Sequence, residues 1–207
     1  INIDGFINLL DAAKENGVEK LIYASTSSIY GNIQGPLRED MEVEPPNFYS
    51  ASKLANENLA KIFSAVYGLK TVGFRYMSVY GPHERSKGIY ANLVSQFLWD
   101  MRKNKSPVIY GDGSQTRDFV YVKDVVNANI LAMKSKKINS DIFNIGTGNP
   151  TTLNQLIVTL NKILKKNIKP THIENKVKNY IATQQADANK AKKYLGFTAK
   201  FSLEEGI

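Results

Sequence analysis

Short apolar runs alternate with amphipathic helical segments along almost the whole chain of 207 residues. Apolar residues recur at helical spacing in 2–15 and 49–67, while 20–25 and 71–76 are compact apolar runs typical of buried parallel strands. The alternation continues with helices predicted at 90–103, 124–133, 153–164 and 188–195 and strands predicted at 107–110, 117–122 and 142–145. This order predicts an α/β fold with a largely parallel sheet.

The composition excludes several classes of site. The chain has no cysteine, which excludes disulfide frameworks, cysteine-based zinc sites and a cysteine nucleophile. Its two histidines, His83 and His172, are too few for a histidine-rich metal site, so we predict no metal. No apolar run reaches the roughly 20 residues that a membrane-spanning helix needs. We therefore expect a cytoplasmic protein with no membrane partner.

The positive charge is confined to the last third of the chain. Residues 1–132 carry equal numbers of basic and acidic side chains, whereas 133–207 carry the whole net charge of +8, with 13 Lys, no Arg and 5 acidic residues. Nucleic-acid grooves favour arginine and interleaved aromatic side chains. The pattern favours a lysine-rich surface in solvent, and we predict no nucleic-acid partner.

A tyrosine and a lysine four residues apart begin the second predicted helix. Tyr49 and Lys53 lie on one face of that helix. A lysine ammonium beside a phenol favours the phenolate, which can act as a general base. With 11 Tyr and 22 Lys in the chain, one such pair also arises by chance. The pair alone therefore leaves catalytic and structural interpretations open.

Hydroxyl side chains follow the first predicted strand, in the segment Ala24–Gly31, which reads Ala-Ser-Thr-Ser-Ser-Ile-Tyr-Gly. Open α/β sheets bind ligands at the carboxyl ends of their strands. An ordinary Ser/Thr-rich turn would look the same. The combination of this segment with Tyr49 and Lys53 favours an active site at the sheet edge.

In the order and spacing of its motifs, the chain resembles the sugar-nucleotide epimerase/dehydratase branch of the extended short-chain dehydrogenases/reductases. UDP-glucose 4-epimerases are the most similar members of that branch. The resemblance covers essentially the whole chain and is carried by Asn2–Leu10, Ala24–Gly31, Tyr49–Lys53, Arg75–Pro82, Tyr90–Leu93, Val108–Val122, Phe143–Gly148 and Ala186-Asp187.

The resemblance implies NAD as cofactor and a UDP-sugar as substrate. Tyr49 would take the proton from the sugar 4-hydroxyl, Lys53 would hold the nicotinamide ribose, and Thr26 would hydrogen-bond the reacting hydroxyl. Ser25 and Tyr76 would lie beside the cofactor. The substrate-binding residues implied by the resemblance are Ser78, Asn92, Leu93, Val108, Tyr110, Arg117 and Lys178.

Two departures from the family pattern bear on the reaction. Dehydratases of this branch carry an acidic residue directly after the catalytic threonine, but Ser27 and Ser28 stand here, so C4 epimerisation is favoured over elimination. Ser78 replaces the asparagine of many relatives. UDP-glucuronate and UDP-N-acetylglucosamine therefore stay open beside UDP-glucose, and a dehydratase stays an alternative.

The glycine-rich turn that binds the cofactor pyrophosphate is not found in the chain. The segment Gly146–Thr151 is similar only in part. We therefore expect the C-terminal two thirds of a longer enzyme, inactive alone and a weak NAD binder. In this interpretation, residues 1–78 complete a doubly wound (Rossmann-type) parallel sheet. Residues 79–116 and 150–207 form a smaller α/β substrate-binding lobe, and 117–149 cross back to the sheet.

Two non-enzyme alternatives are an NAD-sensing protein and an RNA-binding, epimerase-like protein. NAD sensors of this type commonly lose the tyrosine or the lysine, but Thr26, Tyr49 and Lys53 are all present. The helices predicted at 2–15 and 49–67 correspond to those that pair in dimers of the family. The resemblance therefore also implies a homodimer.

Overall fold

The computed structural model describes residues 1–207 and contains seven α-helices and nine strands. The strands are β1 (Lys20–Ala24), β2 (Lys70–Tyr76), β3 (Ser78–Tyr80), β4 (Val108–Tyr110), β5 (Thr116–Arg117), β6 (Phe119–Tyr121), β7 (Ser140–Ile145), β8 (Thr151–Thr152) and β9 (Thr171–Ile173). The helices are α1 (Asn2–Glu15), α2 (Phe48–Tyr67), α3 (Leu93–Arg102), α4 (Val122–Lys134), α5 (Leu153–Leu164), α6 (Asn189–Leu195) and α7 (Leu203–Gly206).

The main sheet has three parallel strands in the order β1-β2-β7. On one face, Tyr23 of β1 packs with Phe6 and Leu10 of α1 and Phe63 of α2. On the other face, the core lies beneath α4 and α6. Helices on both faces of a parallel sheet are the doubly wound arrangement, and this prediction is confirmed. The carboxyl ends of all three strands lie at the same edge of the sheet. Ser25 is the first residue after β1 at this edge.

The ends of α2 and α5 follow directly from local sequence. Asn47 and Ser50 form a reciprocal capping box at the start of α2, and Gly68 ends that helix in the left-handed conformation. Thr152 and Gln155 form the same box at the start of α5. These caps satisfy backbone groups that a helix end leaves unpaired.

A second core lies between α3, α5 and the short strands. Phe97 and Met101 of α3 pack with Leu156 and Leu160 of α5 and with Ile109 of β4. The strands around this core form three separate pairs: β3 with β6, β4 with β9, and β5 with β8. Its shorter strands agree with the predicted smaller α/β lobe, while the domain boundaries themselves stay a prediction.

The single strand predicted at 117–122 is wrong. The segment divides into β5, which pairs antiparallel with β8, and β6, which pairs parallel with β3. Asp118 lies between them with a fully buried side chain that binds the loop after β7. Because that carboxylate turns inward, the strand changes partners at this residue.

None of the seven helices combines the length and the apolar character that a membrane-spanning helix needs.

Candidate active site

Lys53 reaches from α2 to the last residue of β1. Its ammonium donates a hydrogen bond to the Ala24 carbonyl over 3.0 Å. The side chain is half-buried, and burial lowers the pKa of the Lys53 ammonium. One turn earlier, Tyr49 is half-exposed, and its hydroxyl makes no hydrogen bond within the chain. The structure thus places this face of α2 over the end of β1, with the Tyr49 hydroxyl available to a ligand.

The hydroxyl-rich segment after β1 is buried and ordered by its own hydrogen bonds. Thr26 caps a 3-10 turn at Ser27–Tyr30, because its hydroxyl oxygen accepts from the Ser28 backbone N–H over 3.1 Å. That contact uses the oxygen as an acceptor and leaves the Thr26 O–H free to donate. Ser25 donates from its hydroxyl to Glu57 of α2 over 2.5 Å. The segment therefore places Thr26 at the edge of the sheet, directly after Ala24 and Ser25, which are both bound to α2.

The position of the dehydratase acid is occupied by a hydroxyl in an amide network. Ser27 is buried and accepts from the Gln184 side-chain amide over 2.6 Å, while Ser78 donates to the oxygen of the same amide over 3.1 Å. Gln184 thus connects the hydroxyl-rich segment after β1 to Ser78 of β3. The sequence alone did not point to Gln184, because no local pattern marks a glutamine that becomes buried only through tertiary contacts.

Tyr76 does not join Tyr49 and Lys53. It lies on the sheet face that packs against α4, where its hydroxyl pairs with Asn129 over 3.0 Å. Burial raises the pKa of Tyr76. A contact of the Tyr76 hydroxyl with the cofactor would require this bond to break, and a role for Tyr76 in cofactor binding stays a prediction.

Asn92 and Leu93 begin α3. The Asn92 side chain accepts from the Val94 N–H over 3.0 Å and donates to the Val79 carbonyl over 3.0 Å, so both ends of its amide are used within the chain. The Leu93 side chain packs against the second core. Backbone N–H groups at the helix start are the polar groups that this turn can offer to an anion.

The remaining predicted substrate residues lie on β4, on β5 and in the segment that precedes α6. Val108 and Tyr110 are exposed on one face of β4, while Ile109 between them is fully buried. The Arg117 guanidinium stacks over the Tyr180 ring, 5.3 Å from its centre, and donates to the Thr116 carbonyl over 2.7 Å. Lys178 is exposed and makes no hydrogen bond.

The loop after β7 is closed to a pyrophosphate. Asp118 accepts from the N–H groups of Thr147 and Gly148 over 2.8 and 2.9 Å, from the Thr147 hydroxyl over 2.7 Å, and from the Ala186 N–H over 3.0 Å. A side chain at Gly146 would meet the Asp118 carboxylate at 2.7 Å. These donors are therefore not available to a dinucleotide, and Gly146–Thr151 is not a cofactor loop.

The residues at the end of β1 fit part of an NAD molecule. The Lys53 ammonium has three N–H donors and uses one of them on Ala24, so two can reach ribose hydroxyls. The unpaired Tyr49 hydroxyl lies on the same helix face. No strand–glycine-rich turn–helix unit occurs in residues 1–207, so a pyrophosphate has no such site in this chain.

Comparison with known proteins identifies the family. The family model for NAD dependent epimerases/dehydratases matches residues 1–146. The chain is 37% identical to the UDP-glucuronate 4-epimerase of Thermodesulfobacterium geofontis over 208 residues, which is 100% of this chain and 62% of that protein. The chain thus spans less than two thirds of that relative.

Solved structures agree with this result. The UDP-glucose 4-epimerase of Thermotoga maritima, determined with UDP-glucose, has a TM-score of 0.92 and 38% identity over 99% of this chain and 66% of its own. The UDP-N-acetylglucosamine 4-epimerase of Methanobrevibacter ruminantium has a TM-score of 0.92 and 33% identity over 99% of this chain and 67% of its own. The chain belongs to the NAD-dependent epimerase/dehydratase family.

Proposed function

We propose that the protein catalyses NAD-dependent epimerisation at C4 of a UDP-sugar. The observation that carries this proposal is the arrangement at the end of β1, where Lys53 is bound to Ala24 beside buried Thr26 and an unpaired Tyr49 hydroxyl. Tyr49 accepts the proton of the sugar 4-hydroxyl, and Thr26 donates a hydrogen bond to that oxygen. NAD, when bound, supplies a reversible hydride acceptor for C4. Lys53 orients the nicotinamide ribose through the N–H donors that its bond to Ala24 leaves free.

Epimerisation is preferred over dehydration because no free carboxylic acid follows Thr26. Ser27 and Ser28 occupy the two positions. Glu57, the carboxylate bound to Ser25, is also paired with Arg75 and fully buried. Elimination of a C6 hydroxyl requires an acid that can donate a proton, and none is offered at this position. A full-length enzyme incubated with UDP-glucose should therefore yield a C4 epimer of unchanged mass.

A second candidate substrate is UDP-glucuronate. The family resemblance matches Ser78 to a position where many members carry asparagine, and the relative from Thermodesulfobacterium geofontis is named as a UDP-glucuronate 4-epimerase. Turnover of UDP-glucose, UDP-N-acetylglucosamine and UDP-glucuronate by the full-length enzyme, compared as kcat/KM, identifies the substrate. Absence of turnover of all three would contradict the proposal.

Arg117 is proposed to bind the substrate diphosphate, since a planar guanidinium matches phosphate oxygens. Stacking on Tyr180 holds it in place without neutralising its charge. We predict that Arg117→Ala weakens UDP binding about tenfold to a hundredfold, the loss of one charge-assisted hydrogen bond of about 1.5–3 kcal/mol. Calorimetric titration with UDP measures this change. Arg102→Ala, on the exposed side of α3, is the matched control, and equal UDP affinity of Arg117→Ala and the unchanged protein would contradict the assignment.

A homodimer through α1 and α2 is also proposed. Exposed apolar side chains cover the outer faces of both helices, namely Ile3, Leu9, Ile62, Val66 and Tyr67. Large apolar side chains exposed on two helices that pack together are the kind of surface that a second copy of the chain would cover. A cytoplasmic location and weak NAD binding by residues 1–207 alone stay predictions.

Sedimentation tests the dimer. We predict that the protein sediments as a dimer at micromolar concentration and that Ile62→Glu combined with Val66→Glu makes it a monomer, because two charges would be buried at the interface. Val158→Glu, at an exposed position of α5, should leave the dimer intact. A monomeric unchanged protein, or a dimer that survives the double substitution, would rule out this surface.

A further inference from the structure

A buried ion pair lies beneath the candidate active site. The Arg75 guanidinium of β2 donates to both carboxylate oxygens of Glu57 in α2, over 2.9 and 2.7 Å, and the two side chains are 5% and 2% exposed. Removing two charges from water costs free energy that their attraction does not always repay. Such a pair is therefore weak support for stability alone, and its position suggests a different role.

Glu57 also connects α2 to the end of β1. The Ser25 hydroxyl donates to Glu57 over 2.5 Å, and the Lys53 ammonium donates to the Ala24 carbonyl over 3.0 Å. Tyr49, Lys53 and Glu57 recur every four residues and so share one face of the helix. Lys53 and Glu57, one helical turn apart on that face, thus bind Ala24 and Ser25, the two residues that directly precede Thr26.

Arg75 extends the same network to the other strands. Its guanidinium donates to the Tyr30 hydroxyl over 2.9 Å, and that hydroxyl donates to the Asn144 side chain of β7 over 2.9 Å. Burial opposes the charge of Arg75, but the bonds to Glu57 and Tyr30 outweigh it and raise the pKa of the guanidinium. The carboxylate of Glu57 is therefore held by a charged group that is itself fixed to the sheet.

We propose that Glu57 is a positioning residue for the reaction. Its carboxylate, held by Arg75, fixes the rotation of α2 against Ser25 so that Tyr49 and Lys53 face Thr26. Glu57 is buried and its carboxylate is bound to Ser25 and Arg75, so it acts through Tyr49 and Lys53. This inference rests on the proposed function, since it assigns Tyr49 and Lys53 the roles given above.

The test replaces the ion pair by neutral side chains of similar shape, Glu57→Gln with Arg75→Met, in the full-length enzyme. Without a buried charge left unpaired, we expect the variant to fold with a Tm close to that of the unchanged protein and to bind UDP equally well. Small displacements of catalytic groups cost about a hundredfold in rate. We therefore expect kcat to fall about a hundredfold with KM unchanged. A surface pair exchanged in the same way, Glu204→Gln with Lys162→Met, is the matched control.

A second readout does not depend on turnover. Acylation of individual lysines by an excess of acetic anhydride, followed by mass spectrometry, should modify Lys53 severalfold faster in the double variant, because its bond to Ala24 is loosened. Lys61, which is exposed on the same helix, is the internal reference. If the double variant does not fold, Ser25→Ala replaces it with the acylation rate of Lys53 as its readout, since that change removes the bond from Glu57 to Ser25 and keeps the ion pair.

The outcomes separate the two proposals. If kcat and Lys53 acylation of the variant match the unchanged enzyme, or if kcat, KM and UDP affinity all worsen together, the positioning role is wrong. If the unchanged enzyme converts no UDP-sugar, the proposed function fails. The acylation rate of Lys53 then still decides whether Glu57 positions α2.

Discussion

Replacing Tyr49 by phenylalanine is expected to lower kcat of the full-length enzyme by two to four orders of magnitude, the usual contribution of a general base. The change removes only a hydroxyl that makes no hydrogen bond within the chain and is half-exposed. Stability and UDP affinity should therefore be unaffected, because no buried partner loses a bond. Initial rates with the preferred UDP-sugar, together with Tm and a UDP titration, measure the three quantities.

The matched control for this experiment is Tyr90→Phe. Tyr90 is also exposed, and it lies outside the contacts at the end of β1. The kcat of the Tyr90→Phe variant should equal that of the unchanged enzyme. If Tyr49→Phe retains more than about a tenth of the original kcat, the proton of the 4-hydroxyl has another acceptor, and the assignment of Tyr49 as general base fails.

Asp118→Ala is expected to destabilise the fold strongly. Asp118 is fully buried and accepts four hydrogen bonds, three of them from backbone N–H groups of Thr147, Gly148 and Ala186. An alanine removes the partner of the buried Ala186 N–H and of the half-buried N–H groups of Thr147 and Gly148. A donor left buried without a partner costs about 1–3 kcal/mol before relaxation, and a half-buried one costs less because water can reach it. We predict a loss of roughly 4 kcal/mol in the free energy of unfolding, measured by urea denaturation.

Asp112→Ala provides the comparison, because its carboxylate makes similar bonds to Ser114 in an exposed turn where water can replace them. Its midpoint in urea should shift far less than that of Asp118→Ala. Equal shifts for the two variants would show that the buried contacts of Asp118 contribute no more to stability than the exposed contacts of Asp112.

Local signals were sufficient for most of the elements. The helix predicted at 153–164 matches α5 (Leu153–Leu164), and the helix predicted at 49–67 matches α2 (Phe48–Tyr67) to within one residue. The order of Thr26, Tyr49 and Lys53 identified the family, and the family model agrees. These features depend on residues close in sequence or on a motif whose spacing is itself informative.

Long-range polar contacts could not be predicted. Asp118 looks like part of an alternating strand, and its burial depends on a loop about thirty residues later. Glu57 looks like a surface residue of an amphipathic helix until Arg75 of β2 is placed beside it. A charged side chain becomes structural only when a distant partner satisfies it, and no local periodicity reports such a partner.

The fate of hydrogen at C4 tests the proposed chemistry most directly. The full-length enzyme is incubated with a UDP-sugar that carries deuterium at C4, and the recovered sugars are examined by NMR and mass spectrometry. We predict inversion at C4, unchanged mass and full retention of the deuterium, because the hydride that leaves C4 returns to the same carbon. Loss of the deuterium to solvent, a product lighter by one water, or an unchanged configuration at C4 would contradict the proposed epimerisation.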